Sequence, residues 1–170
     1  VLGIPHPPGY PTYVLLLKAF TTLVPVGDFA YRGNLLSALL ASASVFVLYW
    51  VTVRFCRAVD PNAPDGYAIT AAALGGLAFA ASPLFWSQAI IAEVYALNTF
   101  FAGALLAIAS HMALPRVDER SAPDPRPWMA LFGLLLGLGL GNHLTLLAVA
   151  APLAFWLLAT LGWRVLVSPW

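Results

Sequence analysis

The chain has 170 residues, of which 61% are hydrophobic and 9% are charged, and its mean hydropathy is +0.86. A soluble domain carries about 25% charged residues, so this composition predicts a membrane protein, and its apolar character excludes intrinsic disorder. The 8 Lys and Arg residues are nearly balanced by 7 Asp and Glu residues and form no basic patch, which excludes a nucleic-acid partner.

Residues 1–33 are predicted to form an external loop and a short interfacial helix. The segment from His6 to Pro11 contains three prolines and a glycine and is not expected to be helical, because proline lacks an N–H and fixes φ. The stretch between Pro11 and Pro25 carries Lys18 at its centre and is too short to cross a bilayer comfortably. An amphipathic helix in the interface is therefore predicted, with a tilted sixth span as the alternative.

The rest of the chain is predicted to be an all-α bundle of membrane spans, residues 34–164. A helical span needs about 20 mostly apolar residues, so charge-free intervals mark the spans. The interval from Pro127 to Trp163 is too long for one crossing and is divided at the polar turn around Asn142. The five predicted spans are residues 34–54, 67–82, 92–113, 128–141 and 144–162. Residues 114–127 are predicted to be a cytoplasmic loop, and residues 1–170 are expected to be one partial transmembrane domain of a longer polypeptide.

The arginines predict the orientation of this bundle, because Lys and Arg near span ends mark the cytoplasmic side. With five spans, six arginines fall on one face: Arg54, Arg57, Arg116, Arg120, Arg126 and Arg164. The opposite face then collects isolated polar residues: His6, Asp28, Arg32, Glu93, Asn98, Asn142 and His143. The predicted functional face is therefore external or lumenal.

Three positions on that face are candidates for chemistry. His6 lies in a rigid proline-rich loop and could bind a phosphate or a sugar hydroxyl, or it could be a solvated loop histidine. Glu93 is an isolated carboxylate. If it lies inside the bundle, the cost of burying its charge indicates a functional role, whereas in a loop between two spans it would simply be solvated. Asn142 and His143 place two polar side chains at the mouth of a span, where a turn alone would not require a histidine.

Signatures of soluble enzymes are missing from the sequence. It contains no phosphate-binding loop of the glycine and lysine type and no nucleophile-elbow serine. It also has no histidines or cysteines paired at the short spacing of a metal site, so no metal is expected.

Four sequence blocks, taken in order, resemble the polytopic C-type (GT-C) membrane glycosyltransferases, in the branch related to protein O-mannosyltransferases. The blocks cover nearly the whole chain: GIPHPPGYP at 3–11, DFAYRGNLLSA at 28–38, SPLFWSQ at 82–88 continuing into EVYALN at 93–98, and GLGLGNHLT at 137–145. The HPP element is common in the wider superfamily, whereas the four blocks together are fairly specific for the branch.

The resemblance implies an inverting transfer of a sugar, expected to be mannose, from a polyprenyl or dolichyl phosphate carrier to a hydroxyl of a protein or glycan. It implies a multi-pass protein of the bacterial inner membrane or the endoplasmic reticulum, with a periplasmic or lumenal active face and no cofactor besides the lipid-linked donor. Its general base is expected upstream of residue 1. By position, His6 and Arg32 are implied to hold the carrier phosphate. The sugar or acceptor cavity is implied to be lined by Glu93, Tyr95, Asn98, Asn142 and His143.

Two other classes of function remain open at this stage. A transporter or lipid flippase also places polar residues in a bundle, although it usually shows broken helices in repeated halves. A non-catalytic membrane subunit would need neither the isolated carboxylate nor the HPP loop.

Overall fold

The computed structural model describes residues 9–114 and 124–162, which form helices and connecting turns. These residues contain seven α-helices and one 3₁₀ turn, Leu144–Leu146, that leads directly into the last helix. The helices are α1 Pro11–Leu23, α2 Phe29–Val59, α3 Asp65–Ala80, α4 Pro83–Ala89, α5 Val94–Ala113, α6 Arg126–Leu140 and α7 Leu147–Leu161. The prediction of an all-α membrane bundle is confirmed.

Three helical segments are long and apolar enough to cross a membrane: α2, α5 and the continuous stretch Leu144–Leu161. Helices α3 and α4 meet this criterion only as a pair, and they are bent by 69° at the break between them. Helix α6 has 15 residues, a length of about 22 Å, which falls short of the roughly 30 Å of hydrocarbon in a bilayer. Each of the five predicted spans thus coincides with a helix, while the number of complete crossings stays a prediction.

Helix α2 extends five residues beyond the predicted span 34–54 at each end. This helix begins at Phe29 rather than near residue 34, because the Asp28 carboxylate accepts a hydrogen bond from the Tyr31 N–H at 2.7 Å and caps it. The predicted span was the charge-free interval that follows Arg32, but a charged residue in the first turn does not end a helix. The α2 helix therefore extends beyond the apolar interval.

Helix α5 is the centre of the bundle and packs against α2, α6 and α7. Its fully buried Leu105 and Ala109 face the core, which also includes Leu146 and Leu153. Helix α2 approaches through small buried residues, Ser37, Ala41 and Ser44. Small side chains let helix backbones come close in a membrane, where van der Waals packing drives association.

Helix α1 packs against the first turns of α2 at one end of the bundle. At its start, the Thr12 N–H and hydroxyl donate to the carbonyl groups of Gly141 and Leu138, at 3.2 and 2.7 Å. At its end, the Arg32 guanidinium donates to the Thr21 carbonyl. Between these ends, Leu17 lies beside Gly33 and Tyr13 lies near Ser37, so α1 runs back along the first turns of α2. Its place in the interface, or as a tilted sixth span, stays a prediction.

Arg54, Arg57 and Arg126 lie at the opposite end of the bundle from Arg32. The Arg54 guanidinium donates to the Ser110 carbonyl at 3.2 Å near the end of α5, and Arg57 forms an ion pair with Asp65 at 3.0 Å. Arg126 begins α6, whose Trp128 ring lies 4.0 Å from that of His111. The structure thus separates the described arginines of the predicted cytoplasmic face from the polar residues assigned to the other face.

Candidate functional site

The polar residues predicted to share one face do lie at one end of the bundle. There α2 and α5 begin, α6 ends, and α1 packs against the start of α2 and is bonded to the end of α6. The described members of the predicted set are Arg32, Glu93, Tyr95, Asn98, Asn142 and His143. His6 lies outside the described residues, so its predicted role stays a prediction.

The turn after α6 places Asn142 and His143. Helix α6 ends at Leu140, and the Gly139 carbonyl accepts hydrogen bonds from the N–H groups of both Asn142 and His143, at 3.0 and 2.9 Å. Gly139 is required here because a Cβ at this position would overlap Leu146 and contact Phe101. The glycine thus lets α6 end against the core and turn its two polar residues toward the bundle end.

His143 is held by two rings and one polar partner. Its imidazole lies parallel to the Tyr10 ring, with 5.7 Å between centroids and 7° between planes, and 5.6 Å from the Tyr95 ring. The Nδ1 atom accepts from the Thr145 N–H at 3.2 Å and lies 2.8 Å from the Thr145 hydroxyl. That hydroxyl also accepts from the Asn98 amide at 3.3 Å. Tyr95, Asn98 and His143, which the family resemblance implied to line one cavity, therefore form one cluster.

Asn142 is completely buried beneath this cluster. Its amide nitrogen donates to the Val94 carbonyl at 3.1 Å, which ties the α6 turn to the start of α5. Its Oδ1 atom has no hydrogen-bond partner among the described residues. A buried amide oxygen without a donor costs about 1–3 kcal/mol, so this position favours a ligand or water that can donate a hydrogen bond.

Asn142 is one of several such positions at this end. Five buried side-chain oxygens lack a partner within residues 9–114 and 124–162: Tyr13 Oη, Ser37 Oγ, Gln88 Oε1, Asn98 Oδ1 and Asn142 Oδ1. They lie on α1, α2, α4, α5 and the turn after α6. Amide oxygens only accept, and hydroxyls both accept and donate, so the set is best matched by a molecule with many hydroxyl groups.

Glu93 lies at the edge of this end and not inside the bundle. It is exposed, its backbone is extended, and α5 begins at the next residue, so the stretch from Ser87 to Asn98 is not one helix. Burial raises the pKa of the Tyr13 phenol to about 12, the nearby Ser37 hydroxyl lowers it in part, and the Glu93 carboxylate raises it further. The two hydroxyls nevertheless do not form a hydrogen bond of acceptable geometry. Tyr13 therefore stays protonated and Glu93 is within electrostatic reach of it.

Arg32 has a structural role in addition to its predicted one. Its guanidinium donates to carbonyl groups at the end of α1, Thr21 and Val24, and its Nε donates to the Asp28 carbonyl at 3.2 Å. Arg32 is thus at the far end of α1 from Tyr10, a separation of about 18 Å along a helix of this length. The structure does not place Arg32 in the His143 cluster, and phosphate binding by Arg32 stays a prediction.

A cavity of about 570 Å³ adjoins the His143 cluster through Tyr95. Its apolar wall is built from Phe79, Leu84 and Phe85 at the bend between α3 and α4, and Ser82, Gln88 and Thr99 add polar groups. Sequence analysis did not single out Gln88 as a site residue, nor Tyr13 or Ser37. Gln88 and Ser37 do stand in the blocks at 82–88 and 28–38 that carry the family resemblance, but their burial depends on packing, which the sequence does not show.

Metal binding finds no support from side-chain clustering in this part of the chain. Within the described ranges, no three His, Cys, Asp or Glu side chains come close enough to hold an ion. The expectation of a metal-independent site stays a prediction.

Comparisons with known proteins agree with these features. The chain is 34% identical over 158 residues to the mouse protein named Protein O-mannosyl-transferase TMEM260, covering 92% of this chain and 20% of that protein. It is 27% identical over 172 residues to the Dictyostelium discoideum protein of the same name, covering 94% of this chain and 19% of that protein. The chain therefore spans about a fifth of the length of these relatives.

No solved structure matches the chain. The family described as the Protein O-mannosyl-transferase TMEM260 N-terminal domain matches residues 1–166. This match extends over all the elements that build the polar end of the bundle, from α1 to α7. The chain belongs to the Protein O-mannosyl-transferase TMEM260 N-terminal domain family.

Proposed function

We propose that this chain is part of a membrane enzyme that transfers mannose, with inversion, from a polyprenyl or dolichyl phosphate to a hydroxyl of a protein or glycan. The reaction takes place at the external or lumenal end of the bundle, and the enzyme resides in the bacterial inner membrane or the endoplasmic reticulum. The names of the two relatives support this activity. Because the chain spans only about a fifth of each relative, the proposal concerns the full-length protein.

The observation that carries the proposal is the set of buried oxygens without partners at one end of the bundle. Asn98 Oδ1 and Asn142 Oδ1 accept hydrogen bonds and cannot donate them, so they would repel a phosphate and bind sugar hydroxyls. The Tyr95 and Tyr10 rings supply flat apolar surfaces beside them. This environment favours the sugar over the phosphate.

The phosphate needs the opposite chemistry, namely cations and hydrogen-bond donors. Such groups lie at the rim of the same end, where Lys18 and Arg32 belong to α1 and the first turn of α2. A carrier whose phosphate stays at headgroup level would place its sugar toward the buried oxygens. The general base is proposed to lie in sequence before residue 1, and Glu93 is proposed to bind the sugar or acceptor.

A transfer assay on the full-length protein tests this proposal. Reconstituted enzyme is supplied with dolichyl phosphate mannose and a serine- or threonine-containing peptide, and transferred mannose is counted. Glu93→Gln and His143→Gln should each lower kcat/KM about tenfold or more, because a hydrogen bond to a charged or buried polar group is worth about 1.5–3 kcal/mol. Arg57→Gln, at the other end of the bundle, is the matched control and should retain activity.

Two results would contradict the proposal. Unchanged turnover in both Glu93→Gln and His143→Gln would mean that this end of the bundle does not bind the substrates. Uptake of labelled solute by vesicles without mannose transfer would point instead to a transporter. The structure favours the enzyme over that alternative in one respect, since the described residues contain a single bent helix pair and not the repeated broken helices typical of transporters.

A further inference from the structure

The hydrogen bonds around His143 determine which of its ring nitrogens is the acceptor. A backbone N–H can only donate, so the bond from the Thr145 N–H requires His143 Nδ1 to be an acceptor. The imidazole also caps the 3₁₀ turn through this bond, which fixes its position relative to Leu144–Leu146. A neutral imidazole whose Nδ1 accepts must carry its proton on Nε2.

A second donor strengthens this assignment. The Asn98 amide N–H donates to Thr145 Oγ1 at 3.3 Å, so the single hydroxyl proton of Thr145 is free to point at His143 Nδ1, 2.8 Å away. The chain of donors runs from α5 through the 3₁₀ turn to the ring. The Tyr10 and Tyr95 rings both contact the imidazole and limit its rotation.

We infer that Asn98 and Thr145 are positioning residues that hold the His143 imidazole as the Nε2–H tautomer and so present an N–H donor to an oxygen of the bound sugar donor or acceptor. The identity of that ligand rests on the proposed function, whereas the tautomer does not. The site then offers hydrogen-bond acceptors, the side-chain oxygens of Asn98 and Asn142, and a hydrogen-bond donor, His143 Nε2–H. A sugar hydroxyl can bind to both kinds of group, because it donates and accepts.

The tautomer can be read directly by nuclear magnetic resonance. Full-length protein is labelled with ¹⁵N-histidine and placed in lipid nanodiscs, and the His143 signals are assigned by their loss in His143→Gln. The expected spectrum shows a protonated Nε2 and an unprotonated Nδ1. A protonated Nδ1 in the unsubstituted protein would overturn the inference.

Substitutions at Thr145 test the positioning role. Thr145→Val keeps the backbone N–H and removes the hydroxyl, and should raise the Nδ1–H population relative to Nε2–H about fivefold, the factor that corresponds to one neutral hydrogen bond. Thr145→Ser should restore the original ratio, and Asn98→Leu should shift it in the same direction as Thr145→Val. Thr160→Val is the matched control, because Thr160 is exposed in the last turn of α7 and donates only to backbone carbonyls. Equal tautomer ratios in Thr145→Val and Thr160→Val would overturn the inference.

Turnover measured on the same variants separates the two proposals. The inference predicts that kcat/KM for mannose transfer falls about fivefold in Thr145→Val and returns in Thr145→Ser. If the tautomer shifts as expected but His143→Gln leaves turnover unchanged, the tautomer assignment stands and the proposed function of this end fails. If the tautomer does not shift, the positioning role fails whatever the activity. Variants are compared only as monodisperse protein, and Asn98→Leu replaces Thr145→Val if the latter aggregates.

Discussion

Tyr10 occupies a backbone conformation that a tyrosine rarely adopts. Its φ and ψ are 45° and 56°, in the left-handed region, and it follows Gly9 with φ of 90°. For an L-residue this conformation costs roughly 1–2 kcal/mol. Such strain persists where the surroundings fix it, and here the Tyr10 ring lies parallel to that of His143 at the start of α1. The strained residue thus joins the entry into α1 to the candidate site.

Substitution at Tyr10 should separate the contribution of the ring from that of the backbone. Tyr10→Phe keeps the stacked ring and should change the free energy of unfolding by less than about 0.5 kcal/mol. Tyr10→Val places a β-branched residue at positive φ and should destabilise the protein by about 2 kcal/mol or more. Unfolding in detergent, followed by circular dichroism, measures both. Equal stability of the two variants would show that Tyr10 is not held in the left-handed conformation.

At the scale of elements, the glycines of α6 do not form a uniform stripe. Gly139 is buried, and a Cβ there would overlap the buried Leu146 and lie 3.2 Å from Phe101 Cγ. A Cβ on Gly133 or Gly137 would meet no described atom within 4 Å. Glycine therefore allows close packing at the end of α6 and not in its middle.

Alanine substitutions at two of these glycines should have opposite effects. Gly139→Ala should destabilise the protein by about 1–3 kcal/mol, because Leu146 and Phe101 are both buried and have little room to move. Gly137→Ala adds a methyl group on an exposed face and should stabilise the helix by about 0.5–1 kcal/mol. The midpoints of thermal unfolding of the two variants provide the measurement. A Gly139→Ala protein as stable as Gly137→Ala would contradict the close packing of α6 on α5.

At the scale of the whole molecule, the bundle has two chemically different ends. One end carries Arg54, Arg57 and Arg126, and the other carries the His143 cluster beneath α1. Positive residues near span ends indicate the cytoplasmic side. The His143 cluster is therefore expected to face the external or lumenal side, where the proposed transfer takes place.

Labelling of single cysteines tests this orientation. The full-length protein would first have its native cysteines, including Cys56, replaced by alanine, and then receive Leu144→Cys or Val59→Cys. These positions are 60% and 83% exposed and lie at opposite ends of the bundle. A membrane-impermeant maleimide should label Leu144→Cys from the external side of sealed membranes, and Val59→Cys only after permeabilisation. The reverse pattern would place the candidate site at the cytoplasmic face.

Composition and spacing were enough to predict the class and the order of the helices. Helices coincide with all five predicted spans. Charges are costly in hydrocarbon, so long charge-free intervals mark the spans, and such intervals can be identified from the sequence of each segment alone. The positions of the charges along the sequence also predicted that Arg54, Arg57 and Arg126 lie at the end of the bundle opposite the site residues. The 69° bend between α3 and α4 and the early start of α2 at its Asp28 cap depend on local backbone geometry that charge counting does not register.

The candidate site was only partly visible in the sequence. Asn98, Asn142 and His143 stood out because polar residues are costly next to apolar spans, and Tyr95 was implied by the family resemblance. The structure brings these four residues together. Tertiary structure alone decided which side-chain oxygens are left without partners, and it joined the Asn98 amide to Thr145 and the Asn142 amide to Val94. Hydrogen bonds are directional and act between residues far apart in the chain, whereas hydropathy is a property of each segment by itself.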